Sequence, residues 1–208
     1  MADEPFGFDE TPFLEPAPDE EAWEAYLEFA LERLGADGST GLTNKQLAVV
    51  EDELGLELPY EIGLLLVMGV PDDEQWFDWR DEPVDQLARW DAWVLEGIAF
   101  DIRENGFWSP SFGPRPDDVE ARIAAAEAAF ASLPRLFPLH GHRAIPLDVP
   151  DGFDSNSGNP VLSVMQTDVI EYASDLAGWL HNDFGVPLPT WEQTGERRFP
   201  FWSELTHG

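Results

Sequence analysis

Apolar residues recur along this chain with two spacings, and the changes between them mark its elements. Residues 19–35 hold Trp23, Tyr26, Leu27, Ala30, Leu31 and Leu34 at helical intervals, with Asp19 placed to cap the start and Gly35 to end it. Thr43 followed by Gln46 is the signature of a capping box, and Leu47, Val50 and Leu54 continue on one face before Gly55. After a short connection at 56–59, residues 60–68 make a compact apolar helix stopped by Gly69 and Pro71. Residues 72–83 are polar apart from Trp76, Phe77 and Trp79, and read as a loop. A short helix follows through Trp90 and Trp93. The pattern then changes, because Ile98, Phe100 and Ile102 alternate with Ala99 and Asp101, which predicts a half-buried strand over 97–103. Residues 117–133 return to the helical period, with Val119, Ile123, Ala126, Phe130 and Leu133 on one face and Pro134 as the stop.

The second half alternates. Short apolar runs at 136–139 and 144–147 flank a turn at Gly141, and residues 150–160 carry the Gly, Asn, Asp and Ser of an ordered loop. Residues 161–165 and 169–172 are rich in β-branched and aromatic side chains and are joined by Gln166, Thr167 and Asp168, a hairpin signal. Ser174 is placed to cap a last helix that sets Leu176, Trp179, Leu180 and Phe184 in one stripe. These elements predict an α+β fold: a single domain with a mainly antiparallel sheet of about five to six strands and helices packed on it. Residues 1–18 are expected to form an acidic, Pro-rich tail, or a strap lying over the domain through their Phe residues, with 19–186 the domain and 187–208 an extended C-terminal tail packed on it through Trp191, Phe199 and Trp202.

Charge changes the picture more than composition does. Eleven basic residues stand against 42 acidic ones, a formal net charge of −31. Such a surface repels nucleic acid and anionic membranes, and its field steers in a basic protein. The same acidity also fits a background bias of the proteome, since the chain carries ten Arg to a single Lys with abundant Ala, Asp, Glu and Gly. With no cysteine there is neither a disulfide nor a thiolate site. No apolar run reaches the ~18 residues of a membrane span and no basic segment precedes a hydrophobic one, so the expectation is a cytoplasmic protein. Nine Trp residues exceed what a core of this size demands, and several concentrate between 76 and 108. They serve either packing or an interface.

The order of short motifs in the second half resembles the SUKH superfamily, the Smi/Knr-like group of bacterial immunity proteins and fungal cell-wall regulators. The residues that carry the likeness are Leu136-Phe137-Pro138-Leu139, His142-Arg143, Ile145-Pro146, Gly158-Asn159-Pro160-Val161-Leu162-Ser163-Val164 and Gln166-Thr167-Asp168-Val169-Ile170. Upstream, Leu54-Gly55-Leu56-Glu57-Leu58-Pro59, Phe107-Trp108 and Gly113-Pro114-Arg115-Pro116 extend it, so that it spans about residues 42–184. Ala144 and Ala173 depart from the expected aromatic and Gly. The resemblance implies that 19–186 is a SUKH-like domain. It implies a structural role for His142, Arg143, Gly158, Asn159, Pro160 and Asp168, and a protein that binds a toxin, such as a nuclease, without catalysis. The alternative it leaves open is a regulatory scaffold for a cellular partner.

Candidate chemistry is sparse. His140 and His142 have ligand-like spacing with Asp148 as the nearest third group, but the turn at Gly141 argues against a regular strand there. Asp151, Asp154, Asn156 and Ser157 crowd oxygens without the spacing of a calcium loop, and Asx turns account for them. No nucleophile elbow and no phosphate-cradling loop occurs, so catalytic residues, metal and cofactor are all expected to be none. Partner binding is expected at two loops that pair aromatic anchors with acids. The first offers Asp73, Glu74, Trp76, Phe77, Asp78 and Trp79, with Trp76 and Trp79 as its exposed pair. The second offers Asp151, Phe153 and Asp154. The partner expected is a basic toxin domain.

Overall fold

The computed structural model describes residues 19–36, 38–191 and 197–206. The tail expected at 1–18 and part of the one at 187–208 lie outside them. Helix α1 (Glu20–Leu34) begins at Asp19, whose carboxylate accepts from the Ala22 amide, and ends at Gly35 in the left-handed region. Helix α2 (Asn44–Leu54) starts with the capping box that Thr43 and Gln46 announce, both arms being present. Helix α3 (Tyr60–Met68) follows.

Residues 97–103 are not a strand. They continue α4 (Pro83–Glu104), a helix of 22 residues. Its buried positions, Leu87, Trp90, Val94, Ile98 and Ile102, step by three or four residues, whereas Phe100 is 46% exposed. The alternation seen in the sequence is therefore an accident of Ile98 and Ile102 sharing one face with Phe100 opposite. Without that strand the sheet has four members among the described residues, rather than the expected five or six.

After a short 3₁₀ turn (Pro110–Phe112) and helix α5 (Val119–Phe130), the chain runs through β1 (Leu136–His140), β2 (Arg143–Pro146), β3 (Val161–Met165) and β4 (Asp168–Ala173). They pair as an antiparallel meander in chain order. Helix α6 (Leu176–Phe184) is capped by Asp175 rather than by the expected Ser174, because the Asp175 carboxylate reaches the Gly178 amide at 2.7 Å.

Strands β1, β2 and β3 are buried on both sides, so the sheet is covered on both faces, while β4 at its edge leaves Asp168, Ile170 and Glu171 exposed. On one face Phe137, Leu139, Ile145 and Val161 pack with α1, α2, α3 and α6. On the other, Leu136, Ala144, Leu162, Val164 and Val169 pack with α4, α5 and the segment around Phe199, Phe201 and Trp202. Residues 197–206 pack into the second core through Phe199, Phe201 and Trp202, and finish in helix α7 (Trp202–Leu205) where an extended end is expected. The Trp202 indole donates to the Pro134 carbonyl at 2.7 Å and ties this segment to the chain entering β1.

The β3–β4 turn is seated on α4. Asp101, 5% exposed, accepts from the Thr167 amide and hydroxyl at 3.0 and 2.7 Å. One turn earlier, Gly97 lies so close that a Cβ would come within 2.9 Å of the Gln166 Cα. No helix among the described residues is long and apolar enough to cross a membrane.

Candidate functional site

The first expected loop turns its aromatics inward. Trp76 and Trp79 are 9% and 3% exposed, which corrects the expectation that they form an exposed pair. The Gln75 carbonyl accepts from the Gly141 amide at 2.9 Å, and Trp76 bridges to His140, so this segment covers the outer edge of β1. Trp76 packs edge-on to His140 and Trp179 and stacks on Phe184, while Trp79 stacks on Phe137 with centroids 4.4 Å apart. Polar neighbours conceal this in the sequence, because the acids at 72–74 and 78 face solvent while residues 76 and 79 face β1. The remaining groups are locally occupied. Phe77 stacks on Trp79, Asp73 accepts from the Gln75 amide, and Asp78 is paired with Arg80 at 2.6 Å. Donation by Arg80 holds the Asp78 carboxyl below its ordinary value, burial opposing it. Glu74 is exposed.

The second loop, 148–160, is held from beneath. Glu61 on α3 is 0% exposed and accepts from the Ser157 hydroxyl and the Gly158 amide, both at 2.7 Å. Burial raises the Glu61 carboxyl above its usual range, with the donors at Gly158 and Ser157 pulling the other way. Asn159, also 0% exposed, donates to the Pro146 and Asp148 carbonyls and accepts from Arg197 at 2.9 Å. Arg197 in turn donates to the Ser155 carbonyl and lies over the Phe153 ring at 4.2 Å. Phe153 is thus half-covered by a cation, whereas Asp151 and Asp154 point into solvent on a fixed loop. Gly158, Asn159 and Pro160 are all buried at the base of the loop. The two expected loops do not meet. One lies along β1 toward His140, and the other leaves the opposite end of the β1–β2 hairpin, beyond Pro146.

His142 and Arg143 belong to a closed cluster. The Arg143 guanidinium reaches both Asp183 oxygens at 3.0 and 3.2 Å, lies 3.5 Å over the Tyr172 ring and contacts His142 Nε2 at 2.8 Å. Asp183 also accepts from the Tyr172 hydroxyl at 2.6 Å and the Trp179 indole at 2.7 Å. Burial works against its charge, but these donors outweigh it and hold the carboxyl low. Every good acceptor direction of the carboxylate is filled, so the cluster fastens β2, β4 and α6 together. His140 is separate from His142, in the box formed by Trp76, Trp179 and Phe184, where burial lowers its pKa. Asp168 is exposed at the start of β4, opposite Met165. No group of three or more His, Asp or Glu side chains placed to hold a metal occurs among the described residues.

The structure adds a site that the sequence does not announce. A cleft of about 570 Å³ opens between α1, α2 and α3 and runs to the 148–160 loop. Glu20, Glu51 and Glu57 line it with Tyr60, above a floor that includes Leu47 and Leu64, and Ser155 and Asn156 form its far wall. The walls are fixed: Glu51 accepts from the Leu58 amide at 3.0 Å, and the Asn156 amide donates to the Glu57 and Leu147 carbonyls. Burial, followed by the carboxylates of Glu20 and Glu24, raises the Tyr60 phenol, a local mark of negative potential. Among the described residues that line the cleft there is no Lys or Arg. The arrangement can seat a cationic side chain with an apolar stem. Its acids come from α1, α2 and the connection between α2 and α3, and no local spacing joins them.

No family model matches the chain, and neither a curated protein nor a solved structure is similar to it.

Proposed function

We propose that this chain is a protein-binding module that receives a basic partner at the cleft walled by Glu20, Glu51 and Glu57. The observation that carries this is the union of acidic walls, an apolar floor and rigid anchoring in one concavity. Asp151 and Asp154 extend the negative surface along the adjoining loop, and the net charge of −31 supplies the long-range field. The SUKH resemblance supplies the biological form: an intracellular immunity protein that occludes a toxin domain, a nuclease being the type whose phosphate-binding site is itself basic. The motif residues Gly158, Asn159 and Pro160 then hold the acidic loop in place, and His142 and Arg143 hold the sheet to α6.

The test is a paired charge reversal, Glu20→Lys with Glu57→Lys, both exposed positions. A basic protein captured from the native cell and identified by mass spectrometry is measured against each form. The variant should associate about tenfold or more slowly, and the unaltered protein's own association should slow about tenfold from roughly 10 mM to 150 mM salt. Equal association by both forms, or a rate indifferent to salt, would remove the cleft from the reading.

A further inference from the structure

A second cleft, of about 580 Å³, lies between α4, the end of α5 and residues 133–136. Two opposite charges line it without meeting. Asp91 is half-buried on α4 and accepts no hydrogen bond among the described residues. Arg135 lines the same cleft, and its Nη1 is committed to the Leu54 and Gly55 carbonyls at the end of α2, at 2.9 and 3.4 Å. The two form no ion pair, although Arg135 is near enough for its charge to act on the Asp91 carboxyl. The apolar side chains of Ala92, Leu95 and Phe130 line the same cleft, as does the exposed Glu127.

A half-buried carboxylate with no donor is costly, and burial raises Asp91 to about 6. Cations anchored to a helix C-terminus and acids lacking partners are both satisfied by a ligand that carries the complementary charges itself. An α-amino acid separates its ammonium and carboxylate by a single carbon. It therefore suits two groups too far apart for a salt bridge and close enough to sense each other. We propose that this cleft binds a free α-amino acid with an apolar side chain, its ammonium on Asp91, its carboxylate on Arg135 and its side chain against Leu95 and Phe130. The cleft volume lies within the range of small-molecule sites, and its few polar groups amid apolar walls follow their usual composition.

The test is isothermal titration of the whole protein with L-leucine and L-phenylalanine, beside N-acetyl-leucine, which lacks the ammonium, and leucine methyl ester, which lacks the carboxylate. One or both free amino acids should bind below about 1 mM, and each blocked form about tenfold or more weakly, as losing a charge-assisted contact implies. Asp91→Asn should weaken binding of the free amino acid by about the same factor. Absence of heat up to about 10 mM would overturn the proposal, as would a methyl ester that binds as well as leucine itself, which would mark a simple cation site. Unchanged affinity in Asp91→Asn overturns it too. The blocked ligands probe the unaltered protein, so their outcome decides the matter even if the variant folds poorly.

Discussion

Asp91 is poised to make stability depend on pH in a direction opposite to that of most paired carboxylates. Burial raises it to about 6 against the pull of Arg135, whereas an unfolded aspartate ionises near about 3.9. The folded chain holds this proton the more tightly, so its contribution to stability is present at low pH and is lost as pH rises through about 6. Asp91→Asn should therefore stabilise the protein by about 1 kcal/mol at pH 7.5, a figure discounted for solvent screening of a half-buried group. The gain should shrink to less than half near pH 4.5. Urea unfolding of both forms at the two pH values measures this, and a gain that grows in acid would reverse the assignment. At this scale the sequence conveys residue type but not direction. Trp76 and Trp79 stand among acids and still face β1, and Glu61 sits in an apolar helix with nothing nearby to show that its donors come from residues 157 and 158.

Between elements, α4 comes very close to the β3–β4 turn at Gly97. In an isolated helix Ala is favoured over Gly by about 1 kcal/mol. At position 97 the added methyl would stand 2.9 Å from the Gln166 Cα and 3.1 Å from its Cγ, and the backbone atom has no easy retreat. Overpacking of this kind costs about 1–3 kcal/mol, so the clash wins and Gly97→Ala should lower stability by about 1 kcal/mol or more. A raised urea midpoint would show instead that the turn yields. The elements themselves are largely legible where local chemistry decides them: the Thr43–Gln46 capping box, the Gly35 and Gly55 stops, and the hairpin at 161–173. They are misread where two periods coincide, as at 97–103, or where two caps compete, as Asp175 does with Ser174.

For the whole molecule, the net charge of −31 acts on folding as well as on partners. Self-repulsion opposes the compact state and is screened by salt. Raising sodium chloride from roughly 10 to 150 mM should lift the thermal midpoint by about 4 °C or more, since each kcal/mol recovered moves a chain of this size by about 2–4 °C. A flat profile would mean that the acids are spaced widely enough to ignore one another. The α+β class follows from the order of periods along the chain. The two clefts do not, because each gathers side chains from helices far apart in sequence. The second core has one further consequence, for the order in which the chain is made. The meander is complete at Ala173, but its second face still lacks Phe199, Phe201 and Trp202. A nascent chain emerging from the ribosome therefore holds a finished sheet with one side part-covered by α4 and α5 until those aromatics arrive. Synthesis that pauses between the two points leaves an apolar surface on offer to chaperones or to other chains.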